Sequence, residues 1–164
     1  MAARADSLSR FIGAYARLAK LPIPHLQTVR VRDLVERAAS LETCVGIQIE
    51  TGPEIPVQAD PDQIEQVLIN LMRNAADAAL VTGGGVRTGW CKGPGIVEIW
   101  IEDEGPGLSG TANLFVPFFT TKPGGSGIGL VLSRQIAERH GGARSPWITA
   151  RRAPAASARL KLPA

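Results

Sequence analysis

The chain has 164 residues, a length that suits one domain with a single core. Apolar residues make up 45% and charged residues 20%, an ordinary globular balance, and the net charge of +3 is spread too thinly along the chain to form a nucleic-acid surface. No apolar run approaches the roughly 18 residues of a transmembrane helix, and the opening MAARADSLSR lacks the apolar centre of a signal peptide.

In chain order, residues 6–20 place Leu8, Phe11, Ile12, Tyr15 and Leu18 on one helical face, which Pro22 and Pro24 terminate. His25 follows in LPIPHLQ, between prolines and a strand. Residues 33–43 predict a second helix with Asp33 near its start. VGIQIE (45–50) alternates like a strand, and PVQAD supplies a second short one after a turn. Asp60 and Pro61 then form an N-cap and a first helical position. The helix they open buries Ile64, Val67, Leu68, Leu71, Ala75 and Ala78 and stops at Gly83–Gly85. VRTGW and IVEIWIED read as two strands joined by a turn in CKGPG. Residues 128–140 form a last helix closed by Gly141 and Gly142. The tail is a poor strand pattern until ARLKL. Pro146 and Pro154 belong at an edge or in loops, and a local shift of reading frame between about Gly142 and Arg159 would account for the interruption. The sum is an α+β chain, a mixed or antiparallel sheet with long helices on one face. Cys44 and Cys91 stand far apart and read as reduced thiols. His25 and His140 are too isolated for a metal site.

Three stretches carry chemistry. On the long helix, Asn70, Asn74 and Asp77 follow at steps of four and three, so they lie within roughly 60° of one another beside the apolar stripe. A solvated face would explain a polar stripe. Two asparagines one turn apart, however, cost helix stability without local return, and a carboxamide oxygen suits Mg²⁺. In IEDEGPGLSG an apolar strand delivers Asp103 and stops at once in Gly105, Pro106 and Gly107. This is either an ordinary strand end and turn or a rigid carboxylate placed for an exocyclic amine, with glycines that let backbone approach a flat ring. In GGSGIGL, Gly125, Gly127 and Gly129 run into a helix whose free N–H groups would hold phosphate. No GK[ST] follows, so it is not a P-loop.

In this order the Asn-rich helix, the DxGxG strand end, the PFFTTK segment and the GxGxGL helix start resemble the catalytic ATP-binding domain of bacterial sensor histidine kinases. They match its N, G1, F and G2 boxes. The FFTTK segment and the ARLAKLP helix end look most like the nitrogen-regulation subgroup. The resemblance implies a two-layer α/β sandwich with a mixed sheet. It divides the chain into residues 1–24, the end of a dimerisation hairpin with its linker, and residues 25–164, the catalytic domain. It implies ATP and Mg²⁺ as cofactors, with Asn74 as metal ligand, Asn70 facing the same site and Asp103 on the adenine amino group. Gly105 and Gly107 would shape the base pocket, while Phe118 and Phe119 bury their rings to anchor a mobile lid over about residues 108–126. Lys122 would reach a phosphate. Gly125, Gly127 and Gly129 would present N–H groups to the phosphates, with Thr121 and Leu130 beside them.

The implied partners are ATP or ADP, a response-regulator receiver domain and a second copy of its own full-length chain, without nucleic acid. The implied place is the cytoplasm, with or without an inner-membrane anchor elsewhere in the protein. Related ATPases carry a glutamate base one turn before the metal asparagine, where this chain has Asn70, so phosphoryl transfer to a protein is favoured over hydrolysis. The DxGxG and GxGxGL boxes alone do not separate a histidine kinase from the alternatives, an ATP-binding regulatory module without transfer and a serine kinase of the anti-sigma-factor type. Neither His25 nor His140 lies in an H-box, which places the acceptor histidine outside this chain. Asp77 stands where many sensor kinases have a basic residue.

Overall fold

The structure, a computed structural model, describes Gly13, Ala16 and residues 21–107, 115–120, 122, 125–141, 148–149 and 156–164, the backbone alone at 148–149. Strand β1 (Gln27–Arg30) leads directly into helix α1 (Val31–Ser40). Strands β2 (Ile47–Ile49) and β3 (Pro56–Ala59) precede helix α2 (Pro61–Thr82). The hairpin of β4 (Val86–Gly93) and β5 (Ile96–Asp103) follows, then helix α3 (Gly129–Arg139) and strands β6 (Ile148–Thr149) and β7 (Ala156–Pro163). The main sheet runs β2-β4-β5-β7-β6 with only β2 and β4 parallel, and β1 and β3 form a separate antiparallel ribbon. The expected mixed sheet is the one observed. Among the described residues no helix is long and apolar enough to cross a membrane.

Alternation along β5 fixes the layering. Val97, Ile99 and Ile101 point inward and are buried, with Leu160 and Leu162 of β7 beside them. Over this floor α2 lays Ile64, Val67, Leu68, Leu71, Met72, Ala75 and Ala79, and Val31, Leu34 and Val35 of α1 and Ile136 of α3 complete the core. The outward face of the same strands carries Glu98, Glu102, Arg159 and Lys161, with Ile96 and Trp100 of β5 among them. Glu98 is bound by Arg159 at 2.5 Å and approached by its cross-strand partner Lys161 at 3.7 Å, the pairing expected on a solvated sheet face.

Several boundaries differ from those read in the sequence. Helix α1 starts at Val31, two residues before Asp33, because the apolar Val31, Leu34 and Val35 need that first turn for their common face; Asp33 instead takes a bond from Arg30 Nε. The turn expected across CKGPG is confined to Pro94 and Gly95, because Cys91, Lys92 and Gly93 stay paired with Glu98, Val97 and Ile96. Gly95, at φ 66°, takes the left-handed conformation this tight connection needs. The tail forms strand over a longer stretch than ARLKL, from Ala156. The two residues of β6 pair at the sheet edge, while Pro146 and Pro154 lie outside the described residues, as do most of the 6–20 helix and of the frame-shift stretch.

The start of α2 is tied down more heavily than a surface helix requires. Asp60 Oδ1 accepts from the N–H groups of Asp62 and Gln63, each at 3.1 Å, and Oδ2 accepts from His25 N–H at 2.9 Å. Its own N–H donates to His140 Nε2 at 3.1 Å, while His140 Nδ1 faces the Ile136 carbonyl at 2.8 Å. The segment before β1 is held at the same place. Arg139 Nη1 donates to the carbonyls of Leu21 and Pro22, and Gln63 Nε2 donates to Pro22.

Burial alone would push the Asp60 carboxyl up, but the N–H groups of His25, Gln63 and Asp62 outweigh it and hold the carboxyl below its ordinary value. A depressed carboxylate contributes stability above the ordinary carboxylate range and loses it as pH falls through the depressed value. Asp60→Ala is therefore expected to cost roughly 1–2 kcal/mol in urea unfolding at neutral pH. The gap from the unsubstituted chain should narrow as the pH is lowered below the ordinary carboxylate range and through the depressed Asp60 value.

Candidate functional site: an acidic strand end beside a polar helix stripe

The inward alternation of β5 ends on a carboxylate. Asp103 follows Val97, Ile99 and Ile101 on the helix-facing side and is only 6% exposed. Gly105 N–H donates to its Oδ1 at 2.9 Å. Gly105 is packed so tightly that a Cβ there would lie 2.7 Å from both the Ala78 Cβ and Asp103 Oδ1, which brings the strand end against the last turns of α2. Burial raises the Asp103 carboxyl above its ordinary value, against the opposing pull of the Gly105 and Ala156 N–H groups and the Lys122 charge. A carboxylate kept in an apolar wall with few donors is poised to accept one more hydrogen bond.

One residue before Ala78 begins the polar stripe. Asp77 is exposed and Asn74 and Asn70 are half-buried. Lys122 reaches across from the segment before α3. Its Nζ donates to Asn74 Oδ1 at 2.9 Å and to Asp77 Oδ2 at 2.7 Å. Both ends of this pair are well solvated, so it contributes under about 1 kcal/mol and exchanges easily for a better-placed partner. Two oxygens converging on one cation is also the donor chemistry that a hard divalent ion requires, so the residues present fit Mg²⁺. Asn70 turns toward α3, where its Nδ2 donates to Ser133 Oγ at 2.9 Å.

The chain before α3 folds back on itself. Phe118, at φ 66°, donates its N–H to the Gly127 carbonyl at 3.0 Å. Gly127 has φ 65°, and a Cβ there would stand 2.5 Å from the Phe118 carbonyl carbon, so only glycine fits this crossing. Gly125 N–H closes a smaller turn on the Lys122 carbonyl at 3.1 Å. Ile128 precedes α3 without a side-chain cap, and the first turn carries no acid, which leaves the helix start suited to an anion.

These contacts correct one expectation and sort the others. Phe118 is half-buried, but Phe119 is 49% exposed and does not bury its ring, because the left-handed turn at Phe118 directs the next residue outward. The aromatic packed against the core is Phe115, with the Arg134 guanidinium 5.4 Å above its ring. Leu130 packs against the core edge. Gly107, at φ 78°, continues the turn after Asp103. Thr121 and residues 108–114 of the expected lid lie outside the described residues. Ser133 went unnoticed in the sequence, although a hydroxyl at a core-facing step with Ile136 and Ala137 is a signal for a buried polar partner.

A family model for histidine kinase-, DNA gyrase B- and HSP90-like ATPases matches residues 59–164, well over half of the chain, and the chain belongs to that family. Within it, the chain is similar to the sensor histidine kinase ZraS of Escherichia coli O157:H7, at 37% identity over 153 residues that cover 87% of this chain and 33% of ZraS. The chain thus spans about a third of the length of such relatives. Among solved structures, the catalytic domain of histidine kinase ThkA superposes with a TM-score of 0.72 at 27% identity, covering 85% of this chain and 95% of that one. The full-length ShkA structure, solved in complex with AMPPNP, gives 0.77 at 26% identity over 96% of this chain and 35% of its own. The four motifs therefore identified the family correctly, and the fold is that of a histidine-kinase ATPase domain.

The crossing at Gly127 yields a direct test. Gly127→Ala places a methyl group against the Phe118 backbone, a strain on the order of 1–3 kcal/mol. The amide of Phe118 should exchange with deuterium roughly tenfold faster or more, while amides in α2 and β5 keep their rates.

Proposed function

We propose that this chain binds Mg·ATP between α2 and the segment leading into α3, and that it transfers the γ-phosphoryl group to a histidine on a dimerisation hairpin for relay to a response-regulator receiver domain. The observation that carries the proposal is that strand alternation and helix packing bring three unlike groups to one end of the fold. These are a buried acceptor at Asp103, a cation-holding stripe at Asn74 and Asp77, and an uncapped helix start after Gly127. A base, a metal-bridged phosphate chain and a terminal phosphate need those partners in that order.

On this reading Asp103 accepts from the adenine amino group, and Gly105 and Gly107 keep the neighbouring backbone close enough for the ring to lie flat. Asn74 holds Mg²⁺, which would neutralise phosphate charge during transfer. Lys122, released from Asn74, turns to a phosphate and keeps Asp77 as its counter-charge. Gly127 and Gly129 present N–H groups to the phosphates, Gly125, whose N–H closes on the Lys122 carbonyl, shapes the loop before them, and Phe119, Thr121 and Leu130 border the pocket. Asn70, one turn before Asn74, has no basic group with which to strip a proton from water. The phosphoryl group therefore waits for a protein nitrogen. The P–O bond to the β-phosphate breaks, ADP leaves with that oxygen, and a new P–N bond forms on the histidine. Residues 1–24 are assigned to the end of the hairpin and its linker, and 25–164 to the catalytic domain.

Mixing the chain with a separately prepared acceptor hairpin and radiolabelled ATP tests the reaction. Acid-labile label on the hairpin's histidine is the expected result. Acid-stable label on serine, or no label despite ATP binding, would replace it with a serine kinase or a binding module. In calorimetry, Asp103→Ala should weaken ATP binding by a factor of about 10 to 150, the equivalent of a hydrogen bond to a charged group. Unchanged affinity would remove Asp103 from the base pocket.

A further inference from the structure

Asn70 makes contacts that neither metal binding nor phosphate binding needs. Its Nδ2 donates to Ser133 Oγ at 2.9 Å, across sixty-three positions of sequence. Ser133 is 2% exposed and sits on the buried face of α3 with Ile136 and Ala137. The carboxamide oxygen lies over Gly129, the first residue of α3. A Cβ built there would stand 3.0 Å from Asn70 Cγ and closer still to Oδ1. Gly129 and Ser133 are one turn apart, so the planar amide of Asn70 is seated between them, with a hydroxyl on one side and bare backbone on the other.

We propose that Asn70 is a positioning residue. With Ser133 and Gly129 it forms a strut that fixes the height of the α3 N-terminus relative to Asn74, one turn further along α2. The other described hydrogen bond joining the two helices, Asp60 N–H to His140 Nε2, lies at the root of α2 and the far end of α3, and apolar ridges nearer the α3 start tolerate small slides that a directional hydrogen bond does not. A buried serine hydroxyl left without a partner would also be costly, so the bond is favoured by both helices. The third glycine of the motif is then required for a second reason besides phosphate approach. It leaves space for the Asn70 carboxamide. Asp103 is held independently, by the sheet and by Gly105, so the strut serves phosphate recognition and not base recognition.

This inference rests on the reading that the phosphates lie between Asn74 and the start of α3, and the experiment separates the two. ATP and adenosine are titrated into the isotope-labelled chain and followed by NMR, with thermal melts as a check on folding. Unsubstituted chain that binds ATP no better than adenosine would overturn the phosphate reading and the strut with it. Given that preference, Ser133→Ala should lower ATP affinity roughly three- to tenfold and leave adenosine within about twofold. Asn70→Ala should do the same, and the Asn70→Ala/Ser133→Ala double variant should be no weaker than the weaker single. Gly129→Ala should lose roughly tenfold or more in ATP affinity, and Asn70→Ala added to it should restore affinity by removing the obstructing amide. Should Gly129→Ala fail to fold, the Asn70–Ser133 cycle alone decides. ATP affinity unchanged in Ser133→Ala, parallel losses of ATP and adenosine, additive single effects, or a Gly129→Ala/Asn70→Ala chain weaker than Gly129→Ala would each overturn the strut.

Discussion

Helix α2 can lie on the sheet in only one rotation. Seven of its side chains, from Ile64 to Ala79, are buried against the inward rows of β5 and β7, and burying each large one contributes on the order of 1.5–3 kcal/mol. Rolling the helix by one residue would expose several of them and bury Asn70, Asn74 or Asp77 in their place. The polar stripe is therefore aimed by the apolar one. The same β5 row that anchors the helix ends on Asp103, so a single packing arrangement sets the distance between the strand-end carboxylate and the cation-holding stripe.

This dependence explains what was legible in the sequence. The period of the α2 apolar positions, the Asp60–Pro61 start, the Gly83 stop and the alternation of IVEIWIED are local signals, and each is strong enough to survive in the fold. They specify the two elements that build the site, and so the order of the motifs was sufficient to recognise the family. Signals that depend on a partner distant in sequence were not legible. The outward turn of Phe119 follows from the crossing of Phe118 over Gly127, the partnership of Lys122 with Asp77 joins residues 45 positions apart, and the core-facing step of Ser133 signals a polar partner without saying that it is Asn70. The hairpin turn was misplaced for a related reason. Gly93 is a turn residue by composition, yet it stays in register opposite Ile96 because the strands on either side continue to pair.

The polar contacts divide by setting. Ion pairs such as Arg87–Glu102 and Arg134–Glu138 lie on exposed faces and contribute little. Those that matter are short of solvent and fix geometry: Asp103 with Gly105, Asn70 with Ser133, and Asp60 with three backbone N–H groups. Lys122 belongs to the first group by exposure and to the second by location. That combination suits a residue that must change partner when an anion arrives, since little free energy holds it where it is.

The grip on residues 21–25 has a mechanical meaning. Leu21 and Pro22 are bound by Arg139 and Gln63, and His25 by Asp60. Asp60 and Gln63 belong to the root of one helix and Arg139 to the tail of another, and His140 bolts the two together through Asp60 N–H and the Ile136 carbonyl. A twist applied at Leu21 is therefore borne by the foundations of both helices and not absorbed by a slack loop. Those helices flank the candidate site, so strain imposed on residues 21–25 would be passed to both of its walls at once.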